Sequence, residues 1–127
     1  MSFNWTKYIR LADELLKGTD ESYYRSAISR AYYGAFCITR DRVNYSDYRK
    51  SDVHSRVADK YATSNDEDER IIGSILIKLR KARNNADYNS NETIRKDYAE
   101  RMVNSAKSIL EILEILNDRL KNDGTKE

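Results

Sequence analysis

A chain of 127 residues has room for one core and not two, and this one combines no proline and only four glycines with 35% charged residues. With the usual breakers absent and Leu, Ile, Ala, Glu, Lys and Arg in good supply, the composition points to an all-α protein. A formal net charge of +2 leaves no overall field that would by itself mark a nucleic-acid binder, and a lone cysteine, Cys37, excludes an intramolecular disulfide.

No apolar run approaches the length of a membrane span, and the opening MSFNWTKYIR lacks a signal-peptide core. The expectation is a cytoplasmic protein with no membrane association. Ten tyrosines stand against two phenylalanines and one tryptophan, and buried tyrosines need hydroxyl partners, so many should line helix interfaces. Residues 1–121 read as one helical domain and 122–127 as a polar, frayed tail.

The first helix is expected from about Asn4 to Lys17, with Trp5, Ile9, Ala12 and Leu15 or Leu16 on one face and Gly18 placed to end it. Thr19 or Asp20 can cap the second, whose stripe is Tyr24, Ala27, Ile28, Ala31, Ala35 and Ile38. Tyr32, Tyr33 and Phe36 widen that apolar surface over most of the circumference, which places this helix at the centre of a bundle or in a subunit interface. Asp41 to Lys50 reads as helix end and loop. Ser51 then offers a cap for a short third helix carrying His54, Val57, Ala58 and Tyr61.

Asp66 begins the fourth helix, with Glu67, Asp68 and Glu69 in its first turn and Lys78, Arg80, Lys81 and Arg83 towards its end. That distribution suits the helix dipole, which gives the basic cluster a structural explanation. Asn84 to Asn91 is a turn by composition, and Asn91 can cap the fifth helix, whose stripe runs from Tyr98 through Ala99, Met102, Ala106, Ile109, Leu113 and Leu116 to Leu120. The expected architecture is an up-and-down bundle of four long helices and one short one.

One residue contradicts its surroundings. Ile72, Ile75, Leu76 and Leu79 form a buried stripe, and its next turn brings Arg83. An unpaired guanidinium in a low-dielectric interior costs several kcal/mol, so Arg83 must meet a partner, a wet cleft or a ligand. Asp87, one turn on, could pair with it inside the chain. The sequence offers no Gly-rich phosphate loop, no zinc-binding Cys/His set and no Ser-His-Asp order, and no cofactor is expected. Candidate chemistry therefore narrows to Arg83, Asn84, Asp87 and Tyr88, with Ser29, Arg30, Tyr32 and Tyr33 on the second helix. His54 is the only side chain that ordinarily titrates near neutrality, and its place on an apolar face also suits a packed, hydrogen-bonded histidine. Arg25, Arg30, Arg40 and Arg42 with the neighbouring tyrosines could form a basic aromatic surface for single-stranded nucleic acid, or an ordinary solvated face.

SAISRAYYGAF (26–36), DVHSRV (52–57) and KLRKARNNADY (78–88), in this order, resemble the HEPN superfamily and within it the small prokaryotic UPF0332 type. The resemblance spans nearly the whole chain and implies a helical bundle that pairs into a symmetric dimer. Many HEPN proteins are metal-independent ribonucleases built on an arginine, a following polar residue and a histidine a few positions later. Arg83 and Asn84 match the first two positions; Tyr88, then Asn89 and Ser90, stand where the histidine would be. The implied function is a homodimer that binds RNA or a nucleotide around Arg83, with Asp87, Tyr88, Tyr32, Tyr33 and Arg30 as binding residues. Two alternatives follow from the same resemblance. One is an active ribonuclease, the toxin of a toxin–antitoxin or defence pair, using Arg83 and Asn84 with His54 as catalytic residues. The other is a docking partner for a nucleotidyltransferase or antitoxin.

Overall fold

The computed structural model of the chain describes residues 2–44 and 52–125, the last three by backbone alone. Among these residues five helices follow one another: α1 (Thr6–Leu15), α2 (Glu21–Arg42), α3 (Val53–Ala62), α4 (Glu67–Tyr88) and α5 (Lys96–Thr125). The all-α fold and the helix count are as expected, although α1 has ten residues and is shorter than its apolar pattern suggests. Gly18 does not end α1 through a left-handed turn, since no glycine has positive φ. It instead leaves room for the Tyr23 ring, 2.4 Å from where a Cβ would sit.

Aspartates cap two of the helices, Asp20 as expected. Asp20 accepts from the Ser22 amide at the start of α2, and Asp66 from the Glu69 amide at the start of α4. Ser51, the expected cap of α3, lies outside the described residues, and Asp52 occupies the N-cap without a side-chain bond. The long helices α2, α4 and α5 pack on one another; α1 lies against α2 and α5, and α3 against α4 and α2. With neighbours on so many sides, α2 is the centre of the bundle, and this accounts for the apolar width of its surface. Ala27, Ile28, Ala31, Tyr32, Gly34, Ala35, Phe36, Cys37 and Thr39 are all buried. Two fully buried tyrosines find partners as expected: Tyr61 donates to the Thr39 carbonyl at 2.9 Å and Tyr32 pairs with His54. No helix among the described residues is long and apolar enough to cross a membrane.

The expected turn from Asn84 is absent: α4 continues through Asn84, Asn85 and Asp87 to Tyr88. Asn91 is not the cap of α5, which begins at Lys96 and runs past Leu120 to Thr125. The cause lies on α2. Arg25 donates through Nη1 to the carbonyls of Asn85 (3.3 Å), Ala86 (3.0 Å) and Asn89 (2.9 Å), and through Nη2 to that of Glu92. Its Nε is held by Glu21 at 2.8 Å, and the same carboxylate oxygen accepts the Ile94 amide at 3.1 Å. A planar cation thus satisfies the orphan carbonyls at the end of α4, where asparagine propensity alone favours a turn.

Candidate functional site

With α4 extended, Lys78, Arg80, Lys81 and Arg83 fall in its interior, and its last turn holds no basic residue. The helix dipole therefore does not explain them. Arg83 does continue the buried stripe after Ile72, Leu76 and Leu79, and is 7% exposed. Its guanidinium carbon lies 5.0 Å from the centre of the Tyr33 ring, 5.4 Å from Tyr32 and 5.9 Å from Tyr88. Three aromatic faces offset part of the desolvation of the cation. The Asp87 pair is present but long, with Nη1 and Oδ2 3.8 Å apart, and Ser29 donates to the same carboxylate oxygen at 3.2 Å. Arg83 Nε is buried with no hydrogen-bond partner among the described residues. The ion pair thus only partly satisfies this arginine.

Tyr32 links this cluster to His54. Its hydroxyl lies 2.6 Å from Nδ1, and the imidazole stacks on Phe36 with centroids 4.1 Å apart. Burial, reinforced by the guanidinium groups of Arg80, Arg83 and Arg40, pushes His54 down to about 4. The ring is neutral at physiological pH. Burial raises the Tyr32 phenol above its ordinary range, so the hydroxyl keeps its proton. With the phenol protonated and the imidazole neutral, Tyr32 and His54 share one hydrogen bond through Nδ1, and a ring so engaged is poorly placed to serve as acid or base.

The shift has a consequence for stability. Between the ordinary histidine value near 6.5 and about 4, the unfolded chain binds a proton that the folded chain does not, so stability falls as pH drops through that window. Allowing for solvent screening of a half-buried group, the contribution is about 1 kcal/mol, present above the window and lost below it. The gap in unfolding free energy between wild type and His54→Gln should therefore narrow by that amount between about pH 7 and pH 4. Urea titrations of both proteins at the two pH values measure it.

The remaining expected residues divide. Asn84, though adjacent to Arg83, lines a different space, a cavity of about 300 Å³ between α2, α3 and α4 that it shares with His54 and Arg80. Arg30 is not brought to the cluster; it is exposed, with its guanidinium carbon 5.1 Å from the Tyr8 ring of α1. The basic aromatic surface on α2 separates into intrachain contacts. Arg25 caps α4, Arg40 pairs with Asp41 and lies 5.9 Å from Trp5, and Arg42 pairs with Glu69 at 3.0 Å. Two residues take parts that their grouping in the sequence does not disclose. Arg25, grouped with a basic aromatic surface, acts through backbone carbonyls, and Arg80, grouped with a cluster ascribed to the helix dipole, lines the cavity instead.

What the site can do follows from these contacts. It presents a desolvated guanidinium with one unsatisfied N–H, a weakly held carboxylate, and aromatic rings beside a neutral histidine. Such a set binds anions better than it moves protons. No curated protein and no solved structure matches the chain. A family model does, that of the HEPN domain over residues 6–116, and with nearly the whole helical bundle inside the match the chain belongs to the HEPN family.

Proposed function

We propose that this HEPN protein is a homodimer that binds the phosphate groups of RNA or of a nucleotide at Arg83 and does not cleave them. The reading rests on one observation: Arg83 is buried, ringed by tyrosines, and left with a partnerless Nε and a carboxylate no closer than 3.8 Å. A phosphate oxygen reaches the guanidinium by displacing the Asp87 pair beside Tyr88, which is 76% exposed. Proton transfer is the missing half, since Tyr88 stands where the resemblance calls for histidine and His54 is neutral and committed to Tyr32. Dimerisation is carried over from the family resemblance, the surface of α2 being occupied within the chain.

Labelled single-stranded RNA titrated with wild type, Arg83→Ala and His54→Ala tests the proposal. Wild type should bind without cleavage, Arg83→Ala should lose at least about tenfold in affinity, and His54→Ala should stay within a fewfold. Cleavage that Arg83→Ala abolishes would replace this reading with the ribonuclease, while neither binding nor cleavage would leave docking onto a partner such as a nucleotidyltransferase. Light scattering at micromolar concentration should give a dimer, and a monomer would remove the two-fold site.

Asp87 supplies a sharper distinction. As a competitor for Arg83 it should be dispensable, so Asp87→Asn should raise RNA affinity severalfold and steepen its salt dependence. If the pair were only structural, Asp87→Asn would lower stability and leave binding unchanged.

A further inference from the structure

The cavity between α2, α3 and α4 is lined by Tyr32 but not by Arg83, and the phosphate site just described does not use it. Its walls are largely carbon, from Phe36, Ala58, Leu76 and Ile77, and its volume of about 300 Å³ is that of a small-molecule pocket. Arg80 is the anomaly in it. This half-buried cation makes no hydrogen bond and no ion pair among the described residues, and its Nε is fully buried without a partner. Asp59 also lines the cavity, from α3, but forms no ion pair with Arg80 or with Lys81. An apolar pocket holding an uncompensated guanidinium calls for an anion attached to an apolar body, because the anion offsets the desolvated charge and the body fills the carbon walls.

We infer that this cavity is a second binding site, for a small organic acid whose carboxylate or phosphate-monoester head pairs with Arg80 and whose apolar body lies against Phe36, Leu76 and Ile77. Asn84 and Lys81 line the same cavity with further donors for the head, and Ser55 lines it from α3. The lining residues named all belong to one chain, and the site is independent of the Arg83 proposal.

Nuclear magnetic resonance titration of the full chain with benzoate, phenyl phosphate, benzyl alcohol and inorganic phosphate tests the inference. At least one aromatic anion should shift the methyl signals of Ala58, Leu76 and Ile77 together with the His54 ring, and the stronger of benzoate and phenyl phosphate identifies the preferred head. Arg80→Met should weaken that binding at least tenfold, whereas Arg83→Met should leave it unchanged. Ser55→Trp, an exposed position that cannot disturb the core, should block entry while the fold persists. The inference is overturned if benzyl alcohol binds as tightly as the anions, if inorganic phosphate alone does so, or if no probe shifts these signals. It is also overturned if Arg83→Met rather than Arg80→Met abolishes binding, which would return the anion to the phosphate site.

Discussion

Arg25→Ala is expected to lower the free energy of unfolding by about 3 kcal/mol, a loss of roughly 10 °C in Tm for a domain of this size. One side chain serves four carbonyls at the α4–α5 junction and is itself held by Glu21. Its removal strands the last carbonyls of α4 and frees the Glu21 carboxylate that holds the Ile94 amide. Charged hydrogen bonds contribute about 1.5 to 3 kcal/mol each when removed singly, but those sharing one guanidinium are far from additive, so the total falls well below their sum. Arg25→Lys should recover less than half, because a point-like ammonium cannot span the fork that the carbonyls occupy. Amide exchange gives the local readout: Asn89 and Ile94 should lose protection before the core of α2. A loss of less than about 1 kcal/mol would show that α4 holds its last turn without Arg25. The same substitution should weaken RNA binding, since Asp87 and Tyr88 both lie in the turn that Arg25 fastens.

How far the sequence discloses this arrangement can be judged from the same residues. Helix stripes are local, and Ile9, Ala12, Ile28, Ala31, Ala35, Val57, Tyr61, Ile72, Leu76 and Leu79 are buried as their spacing predicts. The burial of Arg83 follows from the same periodicity. The expected cap at Asp20 is local too and forms, and Asp66, expected as the first helical residue, is the N-cap instead. The end of α4 depends instead on an arginine 60 residues away, so Asn84, Asn85 and Asp87 are helical against their own preference. That one non-local contact also moves the basic cluster off the helix terminus and removes its dipole explanation. The pairing of Tyr32 with His54 requires α3 to be docked on α4, whereas the separation of Asn84 from Arg83 follows once α4 is helical there, successive helix residues pointing about 100° apart. Spacing within a helix can show which face a residue shares, but not which neighbour covers that face.

What lets α3 approach α4 so closely is the absence of a side chain at Gly73, and Gly73→Ala is expected to destabilise the protein by about 2 to 3 kcal/mol. A Cβ at this position would lie 2.4 Å from the Ala62 amide nitrogen and 2.7 Å from its Cα. Both are backbone atoms, so no rotamer change relieves the overlap and the helices must separate. Within a helix, alanine is favoured over glycine by about 1 kcal/mol, which would make the substitution stabilising if packing were indifferent. The two effects have opposite signs, and denaturant titration decides between them. Separation of α3 from α4 should also widen the cavity and lengthen the contact between Tyr32 and His54, so the pH dependence assigned to His54 should flatten in Gly73→Ala. Unchanged or increased stability would mean that α3 reaches α4 less closely than 2.4 Å implies, and the α3 wall of the Arg80 cavity would be set less tightly with it. If the loss occurs as expected, one glycine sets both the wall beside His54 and the pocket in which Arg80 has no ion-pair partner among the described residues.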